Sequence, residues 1–106
     1  MPKNYNLDLI FQALADPTRR AILRKLTRRE RPITEVARPF DISLAAVSKH
    51  VKVLERARLV HRRKSGSFSY LSFNPKAMLT ADEWIEFYRK FWEERLDALK
   101  KFVEEE

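Results

Sequence analysis

The sequence predicts a mainly α-helical domain that carries one small β-hairpin. Apolar residues recur at helical spacing through most of the chain. The period changes to two only around residues 60–73. The 106 residues also contain a single glycine, Gly66, which argues for helices and short connections over a large β architecture and excludes glycine-rich phosphate loops.

Composition narrows the class further. Hydrophobic residues at 44% and charged residues at 35% describe one soluble domain, residues 1–106, with a modest core. The formal net charge of +7 favours an anionic partner, either nucleic acid or an acidic membrane surface. Residues 1–76 hold 17 Lys/Arg against 6 Asp/Glu, a balance of +11, whereas residues 77–106 hold 5 against 9, a balance of −4. The last segment is therefore a different kind of surface. Cysteine is absent, so there is no disulfide framework, no thiolate nucleophile and no thiolate metal site. The opening Met1-Pro2-Lys3-Asn4-Tyr5-Asn6 has no apolar signal core and no stretch is long enough to span a membrane, so a cytoplasmic location without membrane partners is expected.

Leu7, Ile10, Phe11 and Leu14 lie at i, i+3, i+4 and i+7, which makes the opening an amphipathic helix of roughly ten residues. It stops at Ala15-Asp16-Pro17, where Asp16 can cap a second helix and Pro17 suits its first position. That helix, over about 17–29, turns Ala21, Ile22 and Leu26 inward. Arg19, Arg20, Arg24, Lys25, Arg28 and Arg29 crowd the remainder, some reaching phosphate and most solvated. After Glu30-Arg31-Pro32, a short helix over about 34–38 carries Ile33, Val36 and Ala37 inward, and Pro39 ends it.

Residues 41–59 organise the chain. Ser43 is placed as an N-cap, and Ile42 and Val47 are spaced for a hydrophobic staple. Val47, Val51 and Leu54 form an apolar stripe. On the opposite side Ala45, Ser48, Lys49, Lys52 and Arg56 make a face that is small and polar at its start and basic at its end. Such a face suits a helix that enters the DNA major groove: small residues permit close approach, hydroxyls and amines read base edges, and basic groups meet phosphate. The alternative is an ordinary solvated cationic face. With the short helix before it and a turn of about four residues between, this pair reads as a helix-turn-helix.

Beyond Leu59, residues 60–64 and 67–73 form a hairpin turning at Ser65-Gly66, where a positive φ is expected. Phe68 and Tyr70 fall on one face, Leu71 and Phe73 on the other. The basic tip, with Arg62, Arg63, Lys64, Ser65 and Ser67, forms a wing able to touch phosphate or the minor groove, unless it is only a soluble edge. From Thr80, read as an N-cap, a helix of about 24 residues carries Trp84, Tyr88, Trp92, Leu96, Leu99 and Val103 in one stripe, widened by Phe87, Phe91 and Phe102. A small domain cannot cover so much apolar area. We therefore expect a homodimer through Leu7, Ile10 and Phe11 of the first helix and Trp84, Tyr88, Phe91, Trp92, Leu96 and Leu99 of the last, rather than a last helix folded back on its own core. This divides the domain into a DNA-binding core, 7–76, and a dimerisation helix, 80–104.

At these residues the chain resembles the ArsR-type winged helix-turn-helix repressors of bacteria and archaea. Leu14-Ala15-Asp16-Pro17-Thr18-Arg19-Arg20-Ala21-Ile22-Leu23 is similar to the opening signature of that family, and Ser43-Leu44-Ala45-Ala46-Val47-Ser48-Lys49-His50-Val51-Lys52-Val53-Leu54 to its recognition helix. The resemblance covers nearly the whole chain. It implies a dimer that represses its own operon from an imperfect palindromic operator in double-stranded DNA, with Ser43, Leu44, Ala45, Ser48, Lys49 and His50 reading the groove and Arg62, Arg63 and Lys64 in the wing. Glu83-Trp84-Ile85-Glu86 and Tyr88-Arg89-Lys90-Phe91-Trp92-Glu93-Glu94-Arg95-Leu96 look like a subgroup often encoded beside START-like proteins. Two departures stand out. The family usually has glycine where Arg58 stands, so the turn before the wing is expected to change. Leu44 replaces a commonly polar residue and is expected to alter the base read there. Founding members bind metal through a Cys-x-Cys pair in the short helix or Asp/His groups on the last helix. Here Glu35-Val36-Ala37-Arg38-Pro39-Phe40-Asp41 lacks a thiol, and the last helix lacks histidine. No metal site, cofactor or metal response is expected, and His50 reads as a phosphate or packing contact.

Other function classes fit less well. Ser48, His50 and Asp41 could be imagined as a hydrolytic set, but Ser48 and His50 point about 200° apart on a helix, so no catalytic residue is assigned. A winged-helix interaction module without specific DNA binding is the stronger alternative. A small apolar effector could lie between subunits at the aromatic helix, in place of a dry interface.

Overall fold

The computed structural model describes residues 5–105; the opening Met1-Pro2-Lys3-Asn4 and Glu106 lie outside the described residues. The order is α1 (Leu7–Leu14), α2 (Pro17–Leu26), β1 (Arg31–Pro32), α3 (Ile33–Ala37), α4 (Leu44–Arg56), β2 (Val60–Ser65), β3 (Phe68–Phe73) and α5 (Pro75–Glu104). Each longer helix begins on a side-chain cap. Asn6 accepts the Leu9 amide, Asp16 the Arg19 amide, Ser43 the Ala46 amide and Asn74 the Lys76 amide, all at 3.0–3.2 Å. Pro17 and Pro75 occupy the first turns of α2 and α5, where a missing N–H costs nothing.

The core is the set of apolar stripes turned toward one another. Ile10, Ile22, Val36, Val47, Val51, Leu54, Leu59 and Leu71 have no exposed surface. In α2 the buried residues are Ile22, Leu23 and Leu26, and the expected Ala21 is only half-buried. That helix also ends at Leu26, before Arg29, and the Thr27 hydroxyl donates to the Arg24 carbonyl at 2.8 Å at this end. The chain then forms a short strand that the periodicity does not reveal. β1 pairs antiparallel with β3, Arg31 opposite Leu71 and Pro32 opposite Tyr70, and gives the sheet the order β1-β3-β2. A strand of 2 residues has no alternation to read, and its proline confines it to an edge. The short helix α3 begins and ends one residue earlier than expected, and the connection to α4 spans residues 38–43. Ile42 is exposed while Val47 is buried, so the anticipated staple is one-sided.

In the hairpin, Ser65 pairs with Phe68, so the turn is Gly66-Ser67, one residue later than expected. Gly66 has φ +62° and Ser67 is not left-handed, as a two-residue turn with glycine first requires. Arg62, Arg63 and Lys64 consequently lie in β2 and not in a loop.

The turn between α4 and β2 keeps its form with arginine in it. Arg58 takes φ +61°. Its amide donates to the Glu55 carbonyl at 2.9 Å and the Leu59 amide to the Leu54 carbonyl at 3.0 Å, the paired bonds of a Schellman motif. Buried Leu54 and Leu59 supply the accompanying apolar contact. Asn74, only 5% exposed, locks the turn from outside by donating to the Arg58 carbonyl at 2.8 Å. The arginine accepts the strain that glycine would avoid, about 1 kcal/mol for a non-glycine residue in this region. Arg58→Gly is expected to stabilise the fold by up to about that amount, read as a higher midpoint in urea unfolding. An unchanged or lower midpoint would contradict this account of the turn.

The last helix is longer than expected. It starts at Pro75, not after Thr80, and runs for 30 residues. Only Ala77 and Ala81 are buried, both near its start. Edge-to-face contact of Phe11 with Trp84, centroids 5.4 Å apart, fixes α1 against it. The remainder projects. The radius of gyration is 18.2 Å, against about 13 Å for a compact chain of this length.

Candidate nucleic-acid interface

The buried stripe of α4 fixes what its other side presents. With Val47, Val51 and Leu54 enclosed, Ala45, Lys49, Lys52 and Arg56 are exposed and Ser48 is half-buried at the edge. Ser43 and Leu44 are exposed at the helix start, where the Ser43 oxygen is already engaged as the cap. Among the described residues, Lys49, Lys52 and Arg56 have no carboxylate within ion-pair distance. The helix therefore offers unneutralised cations around small residues, the requirement for close approach to a polyanion.

His50 does not share that face. It turns toward the α1–α2 junction, where Arg19 Nη1 donates to its Nδ1 at 3.3 Å and Asp16 Oδ2 lies 3.8 Å away. The Arg19 amide bound to Asp16 holds the Asp16 carboxyl below its ordinary value, opposed by slight desolvation and aided by the charge of Arg19. Arg19 was expected on the outer surface of α2. Its signal, if any, is the Asp-Pro-x-Arg order that places its amide on the cap.

The wing is more constrained than a basic tip suggests. Arg62 Nε and Nη2 both donate to Glu55 Oε1 of α4, at 3.2 and 2.9 Å. Arg63 donates to Glu30, its Nη2 at 2.6 Å from Oε1, and lies 4.7 Å above the Tyr70 ring. The Arg63 hydrogen bond holds the Glu30 carboxyl below its ordinary value. Lys64, Ser65 and Ser67 are exposed, and among the described residues Lys64 has no carboxylate partner.

A second surface lies along α5. Trp84, Tyr88, Phe91, Trp92, Leu96 and Leu99 are all exposed, with Phe87, Phe102 and Val103 beside them. In α1, Leu7 and Phe11 are half-buried, but Ile10 has no exposed surface. Ile10 belongs to the protomer's own core and can only support a contact face from beneath. Among the described residues no group of three or more His, Cys, Asp or Glu side chains is placed to hold a metal ion, and no helix is long and apolar enough to cross a membrane.

A short helix, a turn, a capped helix with a free cationic face and an adjoining two-strand wing define a winged helix-turn-helix. Comparisons with known proteins agree. A family described as a helix-turn-helix domain matches residues 14–63. The chain is 34% identical over 99 residues to the HTH-type transcriptional regulator Rv2034 of Mycobacterium tuberculosis, covering 93% of this chain and 90% of that relative. It is 32% identical over 76 residues to the transcriptional repressor SdpR of Bacillus subtilis, covering 72% and 84%. The crystal structure of an ArsR family transcriptional regulator, RHA00566, superposes with a TM-score of 0.77 at 36% identity, over 82% of this chain and 90% of that one. A winged helix-turn-helix DNA-binding domain of Mycobacterium bovis, described as homodimeric, shares the fold with a TM-score of 0.63 at 24% identity, over 80% and 81%. The chain belongs to the ArsR family of transcriptional regulators. Its family and fold are those of regulators and not of enzymes.

Proposed function

We propose that the chain is a cytoplasmic, homodimeric repressor of its own operon that reads an imperfect palindrome in double-stranded DNA without responding to metal. The observation that carries this reading is the outer face of α4, where Lys49, Lys52 and Arg56 are exposed beside Ala45 and, among the described residues, have no carboxylate partner. Ser43, Leu44, Ala45, Ser48, Lys49 and Lys52 meet bases and nearby phosphates, and Lys64, Ser65 and Ser67 meet the backbone from the wing. His50 acts as a packing contact. Leu44, 51% exposed at the helix start, is suited to a thymine methyl.

The dimer follows from the uncovered aromatic stripe of α5, and the homodimeric Mycobacterium bovis neighbour supports it. The absence of cysteine and of a histidine on α5 supports metal independence. The same lack of cysteine, with the closing Glu83-Trp84 and Phe91-Trp92 motifs, supports the subgroup encoded beside START-like proteins. A small apolar effector would lie between the two copies, against the aromatic stripe of α5. The depression of about 330 Å³ lined by Ala21, Arg24, Lys25, Arg28 and Arg31 is cationic and unsuited to such a molecule.

The internal pairing of Arg62 and Arg63 favours a second reading, an interaction module that does not bind DNA specifically. A fluorescence-anisotropy titration against DNA upstream of the gene, at two salt concentrations with scrambled competitor, separates the two. Repressor function predicts binding that survives the competitor and weakens steeply with salt as counterions are released. Weak binding equal for both DNAs would favour the module.

A further inference from the structure

We propose that Arg19 and Glu55 are positioning residues that set the roll of the recognition helix about its own axis, and so the protein's sequence discrimination. The inference rests on the reading of α4 as the groove-reading helix.

The buried stripe holds α4 against the core, but apolar contact is non-directional and tolerates rotation. Hydrogen bonds do not. His50 lies about 110° around the helix from the middle of its outer face, and Glu55 about 110° the other way. Each is tied to a different part of the fold. Arg19 Nη1 donates to His50 Nδ1 at 3.3 Å, while its Nε donates to the Ala13 carbonyl and its Nη2 to the Gln12 carbonyl, both at 2.8 Å. One guanidinium thus joins the end of α1, the start of α2 and the flank of α4. On the other flank Arg62 of β2 holds Glu55 through two donors. Capping the end of α1 requires only the carbonyl contacts of Arg19, so the bond to His50 is additional. Two directional struts on opposite edges of the stripe aim Ala45, Lys49 and Lys52 outward at one angle. Only a planar fork can make all three Arg19 contacts, and lysine keeps the charge without the geometry.

The test uses the full chain and a duplex enriched by the wild-type protein from a random-sequence DNA pool, beside a scrambled duplex of equal length. Arg19→Lys is expected to lower the ratio of specific to scrambled affinity by about tenfold or more. Affinity for scrambled DNA and its salt slope should stay within about twofold, because no phosphate contact is lost. A purely structural role would instead weaken both duplexes in parallel, and a direct phosphate contact would reduce the salt slope. Either result, or an unchanged ratio, overturns the inference. If Arg19→Lys does not melt cooperatively, Glu55→Ala probes the other strut. Because this change also frees Arg62, the absolute affinities decide: weaker binding of the enriched duplex, with scrambled DNA bound no more weakly, supports the inference, and undiminished binding of the enriched duplex overturns it. A wild-type protein that enriches no sequence overturns the functional reading itself, and this inference with it.

Discussion

Trp92→Ala is expected to convert the protein from dimer to monomer at concentrations where the wild type is paired. Trp92 is 60% exposed in the middle of an aromatic stripe whose neighbours on α5 are also exposed. Truncating it therefore removes almost nothing from the protomer's own core, and its thermal midpoint as a monomer should hardly move. Across a dimer interface the same side chain becomes a central aromatic anchor. Losing such an anchor costs about 2 kcal/mol or more, a factor of about 30 in the dissociation constant. Affinity for a two-half-site operator should fall with it, because the second recognition helix is no longer delivered at high local concentration. Sedimentation equilibrium and DNA titration read the two effects. A variant that stays dimeric with unchanged operator affinity would remove α5 from the interface.

The second large effect is expected at Lys49. It lies close to the centre of the outer face of α4, exposed and, among the described residues, without an acidic partner. Lys49→Ala should lower operator affinity by about 1–3 kcal/mol if the ammonium reads a base edge, and relax preference at that base pair. If it meets only phosphate, binding to all duplexes should weaken together and the salt slope should fall by about 0.9. Folding should be unaffected in either case. Anisotropy titrations of wild type and variant decide between them, and unchanged affinity for every duplex would take Lys49 out of the interface. Arg63 provides the contrast. Its guanidinium is already held by Glu30 and stacked on Tyr70, so engaging DNA requires giving up an internal partner.

The legible parts of this fold were those written in local sequence. Ser43 and Asp16 act as caps because a side-chain oxygen needs only the amide three residues on. Val47, Val51 and Leu54 announce the buried side of α4 through their spacing alone. The start of α5 is less legible, although Asn74-Pro75 is a cap-and-proline pair like Asp16-Pro17. Coming straight after a strand, the pair also ends the hairpin, and Thr80 lies in the second turn of the helix. Arg58 was expected to disturb its turn, but two backbone bonds and the Asn74 clasp outweigh the local strain. The illegible parts depend on residues far apart in the chain. Arg63 meets Glu30, 33 residues away, and Arg19 meets His50, 31 residues away. No periodicity records such pairs, so neither the partner of Arg63 nor that of His50 is legible in the sequence.

A two-fold dimer presents two copies of α4 to DNA together. Selection of bound duplexes from a random-sequence pool by the purified protein, followed by sequencing, tests it most directly. Paired reading predicts enrichment of an inverted repeat whose half-site centres lie about one helical turn apart, about 10–10.5 base pairs, or a multiple of it. A pool that stays random after selection, or one that yields a single unpaired site, would contradict it.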